Sequence, residues 1–122
     1  MRMRHAAFGL AALIGLTASA ALAHHGWSSY SDTPFTLTGT VEMVELGSPH
    51  GHLAVRAAEG VWDVTLGPPY RNQRAGIEED MVKVGDTVTA LGKRHSDPKV
   101  LEMKTERLSI GGRDFDIYPE RL

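Results

Sequence analysis

The residues from Phe35 to Met43 alternate between apolar and polar side chains, and this pattern limits the possible folds more than any other in the chain. A period of two predicts a strand with one buried face. The apolar members are Phe35, Leu37, Val41 and Met43. Gly39 falls on the apolar side, where a missing side chain permits sharp coiling or a bulge. The alternation shifts by one residue at Val44 and Leu46, which predicts a bulge there.

Five more strands and one short helix are predicted in the rest of the chain. Glu59-Gly60 and Gly111-Gly112 have the composition of tight hairpin turns. The later strands are expected at 50–57, 61–66, 87–91, 100–110 and 113–118, and the helix at 70–75. A further apolar group is expected to cover the open end of the sheet, namely Ile77, Met81 and Val84.

The order of these elements predicts the fold class. Five or six strands with one short helical segment between the third and fourth is the order of a small all-β OB-fold barrel. A small β-sandwich and an SH3-like barrel are the alternatives. The interior is expected to contain Leu37, Val41, Val55, Trp62, Val64, Val88, Leu101, Met103 and Leu108. Met43 and Met103 are expected in the core, not as thioether metal ligands.

The first 23 residues have the composition of a secretory signal peptide. Arg2 and Arg4 form a basic start, an apolar run follows over 6–18, and Ala21 and Ala23 fit the small-residue cleavage positions. Cleavage is expected after Ala23, with Ala20 and Ala21 as alternative positions and an uncleaved anchor as a further alternative. The predicted organisation is a signal peptide at 1–23, an extended segment at 24–34, an OB-like barrel at 35–118 and a tail at 119–122. The expected location is the periplasm or the exterior, without stable membrane insertion after cleavage.

The composition of the exported form restricts its partners. Removal of Arg2 and Arg4 from the 13 basic residues leaves 11 against 15 acidic ones. This acidic balance argues against nucleic acid, and against an anionic membrane, because both are bound through positive potential. The chain contains no cysteine, so a metal would be bound by imidazole, amine, carboxylate or thioether groups. We expect no enzyme activity, since no phosphate-binding loop or nucleophile motif is present.

Several short motifs together resemble one family of small exported bacterial proteins, DUF6152. They begin with His24-His25-Gly26-Trp27-Ser28-Ser29-Tyr30 and continue through 34–41, Pro49-His50-Gly51-His52 and Trp62 to Leu66-Gly67-Pro68-Pro69, Arg71, Arg74 and 84–88. The chain departs from the family pattern at Leu46 and Ser48. The resemblance implies export and an OB-like barrel, and it implies no particular activity.

Four histidines are the candidate metal ligands. His50 and His52 are two residues apart on a predicted strand, so their side chains are expected on one face. Cleavage after Ala23 would give His24 a free amine beside its imidazole, with His25 next to it. Such a nitrogen-rich set suits Cu(II) and resembles the histidine brace of copper proteins that begin with His. If cleavage follows Ala21, His24 is the third residue, which also favours Cu(II).

Three hypotheses for the function follow. The first is a periplasmic Cu(II)-binding or metal-carrier protein that uses His24, His25, His50 and His52. The second is a module that binds a ligand or partner other than a metal; the histidines then satisfy local carbonyl groups, and Trp27 serves as a packing anchor. The third is an accessory subunit of an envelope complex.

Two further groups have structural interpretations. His95 precedes a Ser-Asp-Pro sequence and is expected to be a turn residue. Arg71 and Arg74 lie one turn apart on the predicted helix and are expected to form salt bridges on its exposed face, with anion binding as the alternative.

Overall fold

A computed structural model describes residues 26–122, and these form six strands and two short helices. The strands are β1 (Phe35–Glu45), β2 (His52–Ala57), β3 (Gly60–Thr65), β4 (Thr87–Arg94), β5 (Glu102–Ile110) and β6 (Arg113–Asp116). Helix α1 covers Pro69–Ala75, and a terminal 3₁₀ helix covers Pro119–Arg121. The predicted signal peptide and the candidate ligands His24 and His25 lie outside the described residues.

The strands close into a barrel with one additional strand. Neighbouring strands follow the order β3-β2-β1-β4-β5-β6, and a parallel pairing of β3 with β5 closes the first five into a ring. Asp63 lies opposite Glu102, and Thr65 lies opposite Lys104 across this closing pair. The predicted all-β OB-like barrel with one helix between its third and fourth strands is therefore confirmed.

The first strand serves both halves of the barrel because it coils strongly. β1 pairs with β4 along its first half and with β2 along its second half. A Cβ atom at Gly39 would collide with the backbone carbonyl of Arg56, so glycine permits the close approach of β1 and β2. The bulge lies between Val41 and Met43, earlier than predicted. Because an extra residue reverses the direction of the side chains that follow, Met43 is 44% exposed, and its prediction as a core residue was wrong.

The core follows the predicted alternation closely. Eight of the nine predicted interior residues are buried. Leu101 is only partly buried, because it precedes β5 and lies at the hairpin end, where its Cδ1 is close to Gly60. Trp62 is buried and stacks on Phe35, with 5.1 Å between the ring centroids. The guanidinium of Arg94 covers the Trp62 ring at 4.8 Å.

Helix α1 closes one end of the barrel. Proline in its first turn and Gly76 at its C-cap, with a φ of 99°, define its two ends. The buried Asn72 side chain accepts a hydrogen bond from the Gly67 N–H at 2.9 Å and donates one to the Gly67 carbonyl at 2.8 Å. These bonds attach the helix to the end of β3.

The predicted apolar cover over this end of the barrel forms only in part. Ile77 is buried and Met81 is partly buried, whereas Val84 is 68% exposed. Val84 lies in a turn in which Asp86 donates its N–H to the carbonyl of Lys83 and accepts the Lys83 N–H on its carboxylate. This turn leaves the Val84 side chain in solvent.

The segment before β1 is fastened to the barrel by backbone and aromatic contacts. Ser31 donates its N–H to the Arg94 carbonyl, and Ser96 donates its N–H to the Ser29 carbonyl, both at 2.9 Å. Trp27 packs edge-on against Tyr118, with 5.3 Å between the centroids. No helix within residues 26–122 is long and apolar enough to cross a membrane.

Candidate functional site

His52 is oriented by a carboxylate on the neighbouring strand. Its Nδ1 lies 2.9 Å from Oδ1 of Asp63, and both side chains are about one-third to one-half exposed. Ala54 is the direct partner of Asp63, so the histidine reaches the carboxylate diagonally across the β2–β3 pair. A histidine that donates Nδ1–H to a carboxylate keeps a fixed ring orientation and a free Nε2. His52 therefore has one ring nitrogen, Nε2, that is available to bind a metal or another ligand.

His50 lies just before β2 and close to Lys104 and His52. The pKa of His50 is lowered, first by burial and then by the charges of Lys104 and His52. All three groups therefore belong to one neighbourhood, and the neutral imidazole is the form that binds metals. A Cβ atom on Gly51 would contact Asn72 and Leu66. The missing side chain of Gly51 therefore makes room for these interior groups.

Lys104 connects this neighbourhood with the beginning of the described chain. Its Nζ lies 5.1 Å from the Trp27 ring centroid and 5.7 Å from that of Tyr30. Burial, followed by the charge of Arg121, lowers the pKa of Lys104. A Cβ placed on Gly26 would lie 3.0 Å from the same Nζ. The described chain therefore begins against Lys104, whose charge also acts on His50.

We call the group formed by His50, His52, Asp63 and Lys104 the histidine face. It lies where β2, β3 and β5 meet at the closure of the barrel. Beside Lys104, a cavity of about 380 Å³ opens between the initial segment and β5, and its wall includes Tyr30. The pKa of Tyr30 is raised by burial and by the carboxylates of Glu102 and Asp63.

Within the described residues, no three histidine, aspartate or glutamate side chains are grouped closely enough to hold a metal ion. His50 and His52 therefore provide at most part of a coordination shell on the barrel itself. The other two predicted ligands, His24 and His25, precede Gly26 directly and fall outside the described part of the chain.

His95 and Arg71 have structural contacts that match their expected roles. His95 accepts the Asp97 N–H on Nδ1 at 3.0 Å, which stabilises the turn after β4. Arg71 forms an ion pair with Glu120 at 2.8 Å and donates a hydrogen bond to the carbonyl of Ile117. Its guanidinium also lies over the Tyr118 ring at 4.4 Å.

The sequence reasoning missed Asp63 and Lys104 as members of the site. Asp63 occupies a polar position between two core residues of β3, which is the ordinary pattern of a half-buried strand. Lys104 is brought near β3 only by the parallel β3–β5 pairing. One available signal was that Asp63 and His52 both occupy outward positions of a predicted hairpin, where cross-strand pairs interact.

The fold is a small OB-like barrel, and the histidine face lies on its outer surface at the β3–β5 closure. The chain belongs to a family whose model matches residues 12–102 and is described as "Family of unknown function (DUF6152)". This match confirms the family resemblance. A comparison with curated protein sequences finds no match.

Likeness to solved structures concerns the fold alone, and the first of the two below supports it. The chain is similar to one in the crystal structure of the S. pombe Stn1-Ten1 complex, with a TM-score of 0.51 and 14% identity, over 63% of this chain and 57% of that one. A weaker likeness joins it to the apo form of TiaS, a tRNA agmatidine synthetase, with a TM-score of 0.48 and 16% identity, over 63% of this chain and 18% of that one. The chain thus spans little more than half of the first structure and about a fifth of the second.

Proposed function

We propose that this protein is an exported binding module that holds Cu(II) at the histidine face. His50 and His52 would provide imidazole nitrogens from the barrel. After cleavage behind Ala23, His24 would add its amine and imidazole, and His25 would be available as a further ligand. The observation that carries the proposal is the position of Gly26 against Lys104, a residue whose charge acts on His50.

The chemistry of the two described histidines supports this proposal. The Asp63 carboxylate fixes the His52 ring through Nδ1 and leaves Nε2 for a metal. The lowered pKa of His50 favours the neutral ring that a metal requires. A terminal amine has a reference pKa of about 7.7–8.0, so Cu(II) displaces its proton at small cost near neutral pH. A set of amine and imidazole nitrogens is the type that Cu(II) prefers.

The positive charge of Lys104 is expected to weaken the binding of a metal cation at this face, and this expectation can be tested. Its ammonium group lies near His50, and like charges repel each other strongly in a partly buried setting. We expect Lys104→Met to strengthen Cu(II) binding, measured by competition titration with a chelator of known affinity. Lys99→Met is the matched control, because Lys99 is exposed in the turn after β4. Unchanged binding by Lys104→Met would indicate that the metal site lies elsewhere.

The deciding experiment compares two forms of the protein. The complete chain is expressed, and the N-terminus of the exported product is determined by mass spectrometry. Cu(II) is then titrated into the form that begins at His24 and into the same form with one added N-terminal residue. We expect the added residue to weaken binding at least about tenfold, because it removes the primary amine from His24. Equal or negligible binding in both forms would refute the proposal.

A second comparison tests whether the barrel histidines belong to the same site. The double variant His50→Ala, His52→Ala is titrated in the form that begins at His24. We expect weaker binding and an electron paramagnetic resonance spectrum with fewer coupled nitrogens. An unchanged spectrum would restrict the copper site to the terminal residues.

A further inference from the structure

The pairing of β1 with β4 ends halfway along β1. The last contacts of this ladder are the hydrogen bonds between Val41 and the Gly85–Asp86 backbone, at 2.8 Å each. Beyond this point, Met43, Val44 and Glu45 pair with β2 on one side. No backbone hydrogen bond joins them to any other element among residues 26–122. Within the described residues, one edge of β1 therefore has no backbone partner over three residues.

A groove lies where β1 and the segment before Gly85 separate. The segment that precedes Gly85 diverges from β1, and a groove of about 550 Å³ opens between them. We call it the β1 fork; it is lined by Val44, Leu46, Val82 and Val84, together with Glu79 and Lys83. Val84, at 68% exposure, is the most exposed of the large apolar residues in the described chain. A second cavity of about 400 Å³ continues from the fork and shares Leu46 and Glu79 with it.

The surroundings of the β1 fork are mostly acidic. Glu79 lines the fork, and Glu78 lines the adjoining cavity. Glu45 and Asp80 are neighbours in sequence of residues that line the fork or the cavity. All four carboxylates are exposed, and within the described residues none of them forms an ion pair. Lys83 is the one basic residue in the lining of the fork. An unpaired strand edge with an apolar floor and an acidic rim matches a ligand that is extended, partly apolar and basic.

We propose that the β1 fork binds an extended segment of a partner protein, which adds as a strand to the free edge of β1. The segment has apolar side chains at alternate positions, which enter the groove, and lysine or arginine between them, which face the acidic rim. Backbone hydrogen bonds would supply affinity, and the alternating side chains would supply specificity. This interaction is independent of metal binding at the histidine face.

A second copy of this chain fits the fork less well than a basic partner. Two copies joined through their free β1 edges would bring Glu45 and Glu79 of each chain to the same interface. Like charges across an interface are unfavourable. The charge of the rim therefore selects a partner of the opposite sign.

The test uses the protein purified after expression of the complete chain and a synthetic probe peptide of alternating lysine and valine. Amide exchange is measured by NMR with and without the peptide. We expect the peptide to slow, at least about tenfold, the exchange of those amides in Met43–Glu45 that point away from β2, because only these can bond to an added strand. An alternating glutamate and valine peptide should give no such protection. Absence of protection with the lysine peptide, or equal protection with both peptides, would overturn the proposal.

Two lysine substitutions distinguish peptide docking at the β1 fork from a general electrostatic attraction of the basic peptide to an acidic protein. Glu79→Lys and Val84→Lys should each weaken binding of the lysine peptide by about tenfold. The matched controls are Glu59→Lys and Val61→Lys; these replace an exposed glutamate and a 39% exposed valine in and beside the β2–β3 turn. Thermal unfolding confirms that each variant is folded. Equal weakening by the control pair would contradict docking at the fork.

Measurement of the oligomeric state in solution distinguishes a second copy of this chain from a basic partner. If Met43–Glu45 amides become protected at high protein concentration without any peptide, while the mass in solution doubles, a second copy occupies the fork and the basic partner is refuted. A monomer at all concentrations, together with protection by the lysine peptide, supports the proposal.

Discussion

The histidine face and the β1 fork differ in how far their polar groups are already satisfied. At the histidine face, His52 is bonded to Asp63, and Lys104 lies over two aromatic rings. At the fork, the edge of β1 from Met43 to Glu45 lacks a described backbone partner on one side. A surface with fixed side chains suits a small ligand, whereas an unpaired backbone suits a polypeptide.

The largest expected effect comes from a residue that supports both regions. Asn72→Ala removes both hydrogen bonds to Gly67 and leaves the buried Gly67 N–H unpaired, while the Gly67 carbonyl keeps its bond from the Gly51 N–H. We therefore expect a loss of about 1–3 kcal/mol in the free energy of unfolding. Asn72 also lies beside Gly51 and lines the cavity next to the fork, so both surfaces should be disturbed. Urea denaturation measures the loss. Gln73→Ala, an exposed amide on the same helix, should change stability by less than about 0.5 kcal/mol.

The next effect should be confined to the histidine face. Asp63→Ala removes the acceptor that orients His52, and we expect Cu(II) affinity to fall about tenfold or more. Stability should change little, because both side chains are partly exposed. Asp114→Ala, which removes a carboxylate bonded to Ser109 on the far hairpin, is the control. Equal copper affinity in the two variants would show that Asp63 does not orient a ligand.

A smaller effect is expected where the initial segment meets the C-terminal residues. Arg121 lies over the Trp27 ring at 3.8 Å, and Arg121→Gln should cost about 0.5–1 kcal/mol. Amide exchange at Ser31 and Ser96 should accelerate, because their hydrogen bonds tie this segment to the barrel. Arg113→Gln removes a similar stack on Phe115 elsewhere and should leave those two amides unchanged. The same acceleration in both variants would argue against a local role for Arg121.

The smallest effect is a pH dependence from His50. Its folded-state pKa is lowered from 6.5, so the unfolded chain binds more protons between the two pKa values. The resulting penalty is fully present below the folded pKa and disappears as the pH rises through 6.5. His50→Gln should therefore flatten the stability profile below about pH 6.5, measured by urea denaturation at a series of pH values. If the pH dependence of the free energy of unfolding is the same in His50→Gln, other groups are responsible for it.

The barrel was predictable because its strands carry local patterns. The alternation in β1 and the turn glycines of the two hairpins placed the strands, and the prolines before Tyr70 placed the helix. The bulge was misplaced because the apolar residues Met43 and Val44 are adjacent, and either one can face the core. Pairing with Ala54, not hydrophobicity, turns Met43 outward.

The candidate site was predictable only in its histidines. His50 and His52 are visible as a pair in the sequence, but Lys104 is more than 50 residues away from His50. It comes near through the closure of β3 on β5, a pairing between distant segments that no local pattern encodes. The unpaired edge of β1 could not be predicted from the sequence either, because it depends on where β4 begins relative to β1.

The bulge between Val41 and Met43 divides β1 into parts under different structural constraints. Thr40 and Val41, just before the bulge, are bonded on both sides, so a substitution there must satisfy two neighbouring segments at once. The residues after the bulge pair with β2 alone among the described residues. Met43–Glu45 can therefore accept substitutions that satisfy one neighbouring strand, while the first half of the same strand keeps the barrel intact.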